Sequence, residues 1–416
     1  MSNIKTVIDL FSGAGGLTEG FGNNNFKIIG HVEKDFAASQ TLALRESYRY
    51  LKKYGDFSKY ICYLKGDISL EQLFNLIPKE IKNTLLNIEI NDSTLIELFE
   101  YFDTQAKIAN IDGIIGGPPC QAYSTIGRAV NARKKNTDER IYLYKYYIQF
   151  LERYNPKFFI FENVKGLLSF KDIDGELLFP KMRYEFEEAG YTLSYRIINA
   201  ADYGIPQKRE RVIIFGVQNS NSNLINSFFT NLELLREKTM TVGDAFIDLP
   251  FLKSGTENNS YRKKGKSKLL DYYRGNKNIP LTQNIARYNN DNDLEIYKIV
   301  SEAKQQGYNI KYDELDKRLR THKHVDKFLD RYKALSWEYP AHTIVAHIAK
   351  DGHHYIHPDI YQNRSITVRE AARLQGFPDD YYFLNSRTSA FTQIGNAVPP
   401  ILSSKMAEVI SGLDFK

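Results

Sequence analysis

A short apolar run, Val7-Ile8-Asp9-Leu10-Phe11, breaks into Ser12-Gly13-Ala14-Gly15-Gly16 and then into a helix-compatible stretch from Leu17 to Phe21. Strand, glycine turn and helix in immediate succession constrain the fold more than any other feature, because this unit builds sheets covered by helices. The pattern recurs. Phe26 to Glu33 reads as a second strand ending in a carboxylate, Cys62 to Ile68 as a third ending near Asp67, Ile111 to Gly117 as a fourth and Lys157 to Phe161 as a fifth. Helical segments lie between them, such as Ile141 to Tyr154, which stops at Asn155-Pro156. Apolar strands alternating with helices predict an α/β fold with a mainly parallel sheet covered on both faces. Tyr191 to Asn199 and Arg211 to Val217 read as an antiparallel pair added to it.

From about Asn219 the chain turns polar and loses clear periodicity, and a helical pattern returns only at Thr367, with another after Pro399-Pro400. This predicts a first domain over 1–240, an inserted module over 241–365 and a return to the first domain over 366–416. A length of 416 residues is compatible with two or three domains. Within the insert, Tyr261 to Asn278 holds Arg262, Lys263, Lys264, Lys266, Lys268, Arg274 and Lys277 against Asp271 alone, a local excess equal to the net charge of the whole chain, +6. Such a run either tracks a polyanion or is a solvated loop. Apolar residues at 42% and charged residues at 25% exclude a disordered chain, a collagen-like repeat and a disulfide miniprotein. No apolar run is long enough for a membrane helix, and the N-terminus shows no secretion signal. The two cysteines, Cys62 and Cys120, make no metal or disulfide spacing, so a cytoplasmic setting is expected.

Four constellations carry chemistry. Gly13, Gly15 and Gly16 after a strand, with Glu33 at the end of the next, suit either an ordinary tight turn or a cofactor site in which the carboxylate meets ribose hydroxyls. Thr18 stands where G-x-G-x-x-G needs its third glycine, which favours a ligand without a pyrophosphate. Pro118-Pro119-Cys120-Gln121 presents a thiol in a stiff loop at the carboxyl edge of the sheet. Glu162 leaves an apolar strand at the equivalent place, where partial desolvation favours a neutral acid. Arg209 and Arg211, two residues apart, fall on one face of an extended strand, and form either a solvated charged edge or a pair suited to a phosphate and a carbonyl oxygen. Five of the eight histidines (His342, His347, His353, His354 and His357) cluster, but neither a cysteine nor a helical pair joins them, so no metal site is assigned.

Taken in order, Asp9 to Gly16, Gly117 to Gln121, Glu162-Asn163-Val164, Gln207 to Arg211, Arg369 to Pro378 and Gln393 to Pro400 resemble the six motifs of the DNA (cytosine-5)-methyltransferase family, over nearly the whole chain. The resemblance implies a Rossmann-like S-adenosylmethionine-dependent methyltransferase fold, with 241–365 as a smaller target-recognition domain. It implies Cys120 as the nucleophile toward cytosine C6, Glu162 at N3, Arg211 at O2 and Arg209 near the target phosphate. For S-adenosylmethionine, and its product S-adenosylhomocysteine, it implies Phe11 on the adenine, Glu33 on the ribose and Asp67 on the adenine amine. Ser12, Gly13, Ala14, Gly15, Gly16, Leu17, Ile68, Pro118, Asn396, Ala397 and Val398 complete the pocket. The segment from Ala122 to Asp138 resembles the loop that closes over DNA in this family. Gln121, Ser124, Arg128, Lys263, Lys264, Thr343, His347 and Lys350 are expected to meet DNA. The partners implied are double-stranded DNA, bound by a monomer with no membrane contact and associated with the nucleoid, and a cognate restriction endonuclease in a restriction–modification system. A tRNA cytosine-5 methyltransferase, a catalytically inactive DNA-binding homologue and a nicotinamide-dependent oxidoreductase are the rival readings.

Overall fold

The computed structural model describes residues 4–119, 121, 123, 138–262, 267–275, 278–321 and 325–416. Seven strands make the main sheet: β1 (Lys5–Leu10), β2 (Phe26–Val32), β3 (Leu85–Leu86), β4 (Gly113–Gly116), β5 (Phe158–Val164), β6 (Tyr191–Asn199) and β7 (Glu210–Gln218). Their spatial order is 3-2-1-4-5-7-6. The first five are parallel, and β7 runs antiparallel between β5 and β6. The predicted α/β class and the added antiparallel pair are therefore both present.

The helices that matter for the site are α1 (Gly16–Gly22), α2 (Phe36–Tyr54), α3 (Ser58–Lys65), α4 (Leu95–Ala106), α5 (Leu143–Tyr154), α6 (Leu178–Glu188), α7 (Leu224–Leu234), α8 (Asp291–Gln305), α9 (Val368–Leu374), α10 (Arg387–Asn396) and α11 (Pro400–Ser411). Side chains alternate across the strands, so the run Phe158 to Phe161 feeds two cores at once. Phe159 and Phe161 join Ile8 and Leu10 beneath α4, α5 and α6. Phe158 and Ile160 join Val7 and Ile115 beneath α1, α7 and α11. No helix among the described residues is long and apolar enough to cross a membrane.

One expected strand is absent. Tyr60 and its neighbours up to Lys65 form α3, which ends at Gly66 with φ of 83°. The Asp67 amide then donates to the Cys62 carbonyl at 2.9 Å, a helix-terminating bond. Ile68 packs against the Tyr48 and Leu51 side of α2. The strand beside β2 is Leu85–Leu86 instead, pairing with His31 and Val32. A run as short as the apolar part of Cys62 to Ile68 cannot be assigned to helix or strand by periodicity alone, and here the helix wins by burying Tyr60. The stretch after Asn219 is likewise more ordered than it reads, since α7 stacks Phe228 on Phe215 at 4.1 Å.

The C-terminal segment packs against the first strand and helix of the chain. Helix α11 lies on α1, the Ser403 hydroxyl donates to the Leu17 carbonyl at 2.7 Å, and Lys5 Nζ reaches the Ile410 and Ser411 carbonyls at 3.1 and 3.0 Å. Val242, Leu249, Tyr273, Leu281, Leu335, Ile344 and Tyr355 share one core with Ile366, Leu374, Phe391 and Ala397. A smaller core of Ile296, Tyr297, Val300, Tyr312 and Tyr332 surrounds α8. Arg373 fastens the larger core from within, holding Asp379 through two nitrogens (2.9 and 2.6 Å) and Asp248 through a third (2.6 Å).

Candidate active site

The glycine turn stands at the carboxyl end of β1, as an open sheet requires of a ligand site. Phe11, Gly13 and Gly15 all have positive φ (56°, 54° and 83°). A side chain on Gly15 would strike Leu42 at 2.6 Å and the Tyr381 hydroxyl at 2.8 Å, whereas the space over Gly13 is open. Gly16 is pressed against the C-terminal return, where a β-carbon would lie 2.2 Å from the Val398 carbonyl oxygen. Ala14, Leu17, Ala397 and Val398 are buried in that contact, while Asn396 is exposed beside it. Ser12 is held from both sides, its amide donating to Val32 (3.1 Å) and its hydroxyl to Asp9 (2.8 Å).

Glu33 closes the turn. Its two oxygens accept from the Gly13 and Asp35 amides, each at 2.7 Å. Burial pushes its carboxyl above the ordinary value, against the pull of those two amides. The expected partner in the cleft, Asp67, is exposed at the end of α3, and Ile68 is turned into packing, so neither ends a strand. The residue after β3 is Asn87, whose side-chain amide donates to the Glu33 and Lys34 carbonyls at 2.9 and 3.1 Å. Sequence reading placed no residue at this position beside Glu33, because the third strand was placed too early.

The turn is a cradle of the right kind for S-adenosylmethionine. It combines open space over a glycine, a carboxylate fixed by backbone amides, a half-buried aromatic at Phe11 and an exposed amide at Asn396.

Cys120 lies outside the described residues, but its approach is defined. Gly117 sits beside the carboxylate of Glu162, whose Oε2 would be 2.9 Å from a β-carbon there. The Asn163 side chain donates to the Pro118 carbonyl at 3.2 Å. Glu162 and Arg211 form an ion pair, Nε to Oε1 3.0 Å, with side chains only 12% and 13% exposed. The register explains the pairing: Val164 faces Arg211 across the antiparallel ladder, so Glu162 is its diagonal neighbour on the same face. Glu162 and Arg211 thus stand beside Gly117 and Pro118, the residues that lead into the cysteine. After the loop, Gln121 accepts from Arg140 at 2.6 Å, and Tyr123 is buried with its hydroxyl on the Ile141 carbonyl (2.6 Å).

Arg209 departs from expectation. The ladder breaks between Lys208 and Glu210, so the two arginines do not share a strand face. Arg209 is 2% exposed. Its guanidinium donates to the Ile344 carbonyl at 2.8 Å and to the Gly395 carbonyl at 3.2 Å. Enclosed in this way, the guanidinium is turned to the Ile344 and Gly395 carbonyls and away from solvent.

The expected DNA-facing residues divide. Ser124, Arg128, Lys263 and Lys264 lie outside the described residues. His347 and Lys350 are exposed, and Thr343 donates to the Lys208 carbonyl at 2.7 Å. The basic run is partly spoken for: Lys268 pairs with Glu237, and Arg274 lies 3.4 Å from Asp248 while stacking on Tyr261. The clustered histidines have separate tasks. His357 stacks on Phe246 at 5.7 Å, His342 on Tyr355 at 4.8 Å, and His353 meets the Tyr297 hydroxyl at 2.8 Å. Among the described residues no three His, Cys, Asp or Glu side chains are grouped to hold a metal.

Sheet order, glycine turn and carboxylate together define a Rossmann-like methyltransferase fold. The C-5 cytosine-specific DNA methylase family model matches residues 73–412, and the chain belongs to that family of DNA (cytosine-5)-methyltransferases. It is 40% identical to the type II methyltransferase M.Bpa9945I of Bacillus paralicheniformis, covering 97% of this chain and 98% of that one. It is 30% identical to the type II methyltransferase M.AgeI of Thalassovita gelatinovora, with 97% and 98% covered. Among solved structures, an E. coli protein described as a DNA modification methyltransferase encoded within a prophage shares the fold, with a TM-score of 0.63 at 24% identity over 98% of both chains.

Proposed function

We propose that this enzyme moves a methyl group from S-adenosylmethionine to C5 of a cytosine swung out of double-stranded DNA, through a covalent bond between Cys120 and C6. The carrying observation is the Glu162–Arg211 pair set against Gly117, three residues before the cysteine. The cofactor supplies an electrophilic methyl on a sulfonium. Phe11, Glu33 and Asn396 would hold it over the glycine turn.

The chain's own groups do the rest. The Cys120 thiolate adds to C6, the C5–C6 double bond opens, and negative charge moves toward O2 and N3. Arg211 meets O2, so a cationic donor already in place receives charge as it develops there, and Glu162 meets the N3 side of the ring. C5 is then nucleophilic enough to take the methyl group. Loss of the C5 proton and departure of the thiolate restore the ring. A stacked base cannot reach these groups, so it is extruded at a cost of a few kcal/mol. Segment 241–365 is assigned to target recognition, with Thr343, His347 and Lys350 on the DNA side. The type II naming of M.Bpa9945I supports protection of host DNA beside a cognate endonuclease as the cellular role.

Incubation with cofactor and genomic DNA, followed by base-resolution mapping of 5-methylcytosine, tests the reading and returns the recognised sequence. Duplex carrying 5-fluorocytosine at that site should trap the protein covalently, because the release step is blocked. Cys120→Ser should bind the duplex yet neither trap nor methylate it. Methylation of tRNA in place of DNA, or activity surviving in Cys120→Ser, overturns the proposal.

A further inference from the structure

The six-residue stretch Pro206 to Arg211 reaches two places at once. Arg211 stands with Glu162 at the reacting base, but Gln207 and Arg209 point the other way and are enclosed, at 0% and 2% exposure. Their targets come from distant parts of the chain. Gln207 accepts from the Ile344 amide at 3.0 Å and donates to the Leu374 carbonyl at 3.0 Å. Arg209 bridges the carbonyls of Ile344 and Gly395. Backbone pairing reinforces the join, since Gln207–Lys208 runs parallel to Ala341–His342. The Ala341 amide also donates to the Pro206 carbonyl at 2.9 Å.

Gly395 completes the contact. A β-carbon there would lie 2.3 Å from the Ala346 amide, so the backbones of 345–346 and 395 touch with no room for a side chain. One residue beyond Gly395 is Asn396, exposed at the cofactor cradle. One residue beyond Ile344 the chain surfaces again, with Val345, His347 and Lys350 exposed. A single buried fork therefore ties the wall of the cofactor cleft to the segment that presents side chains to DNA. Guanidinium geometry suits this task, because its donors are rigid and can hold two carbonyls at a fixed separation.

We propose that Arg209 is a positioning residue that locks the Thr343-Ile344-Val345 segment to Gly395, coupling target recognition to cofactor binding. It acts through Ile344 and Gly395 and touches neither substrate nor cofactor. The inference rests on the proposed reading of 341–350 as DNA-facing, and it makes a claim that reading does not require. If Arg209 held a phosphate, its loss would weaken binding to every sequence and spare the cofactor. If it is a lock, its loss weakens discrimination and cofactor binding together.

The test uses the full chain as wild type, Arg209→Met, Arg209→Lys and Gly395→Ala. Affinity for S-adenosylhomocysteine is measured by calorimetry without DNA. Binding to the mapped duplex and to a random duplex is measured over a salt series. Arg209→Met should lose roughly tenfold to a hundredfold in cofactor affinity, the range for hydrogen bonds of a charged group. It should lose a similar factor in preference for the mapped duplex, with the salt slope unchanged. Arg209→Lys keeps the charge but not the fork and should not rescue. Gly395→Ala should reproduce the joint loss with Arg209 intact, and it carries the test alone if Arg209→Met does not fold. A salt slope reduced by about 0.9, the signature of one lost phosphate contact, with cofactor affinity intact, overturns the proposal. So does rescue by lysine, or a Gly395→Ala variant that loses only one of the two affinities. A wild-type protein that binds cofactor but no DNA would instead overturn the reading of 341–350 beneath it.

Discussion

Asn163 is buried one residue beyond the acid, and its amide holds the Pro118 carbonyl of a loop that contains two prolines. Prolines stiffen that loop but have no N–H with which to tie it down. Asn163→Ala should therefore lower kcat by up to about a hundredfold, the range for a small misplacement of a reacting group, and leave duplex affinity nearly unchanged. Single-turnover methylation beside equilibrium DNA binding would separate the two. His342 and His357 make a different prediction. Burial pushes each imidazole down to about 3 from the ordinary 6.5. The unfolded chain then takes up these protons first, so stability falls as pH drops from about 6.5 toward about 3. Glu370, held down to about 2 against burial by Arg364, adds its own loss only below its ordinary 4.5. Between 6.5 and 4.5 replacing both by Gln should reduce the fall in Tm, the remainder coming from His354, which burial also lowers, and being offset by Glu33, which burial raises. The convergence of Glu162 and Arg211 was legible only through the family resemblance, since alternation along the strand pairs Arg211 with Arg209 instead. Arg209 was not, since nothing in Gln207 to Arg211 announces that the ladder breaks in the middle.

Elements were readable where period and punctuation agreed. The helix ending at Asn155-Pro156 and the one starting at Thr367 are both present, the latter with a capping box between Thr367 and Glu370. Cys62 to Ile68 carried no such agreement, and its outcome was decided by what α2 offered Tyr60. Contact between elements is harder still to read. Helix α1 meets the return before α11 so closely that Gly16 has no room for a methyl group. Gly16→Ala should cost about 1–3 kcal/mol as overpacking, lower Tm and weaken S-adenosylhomocysteine binding, because the displaced partner is Val398. Thermal melts with and without that ligand check this. An unchanged melt would mean that the two segments separate freely.

The molecule as a whole is a ring of dependencies, with its last helix supporting its first strand. Leu402, Met406, Ala407 and Ile410 pack in one core with Val7, Leu17 and Phe21. Buried side chains of the larger kinds contribute roughly 1.5–3 kcal/mol each, so removing 390–416 withdraws an amount comparable to a domain's entire stability of about 5–15 kcal/mol. The truncated chain should show no calorimetric binding of S-adenosylhomocysteine and no cooperative melt. Against that narrow margin stands Phe11, whose backbone is left-handed at φ 56°. For a residue with a β-carbon that conformation is uphill by about 1–2 kcal/mol. Glycine would adopt it without penalty, so selection for a durable fold alone would not keep an aromatic there. Ser12 pins the loop beside it, and under the proposed reading the ring stands where the adenine of the cofactor would stack.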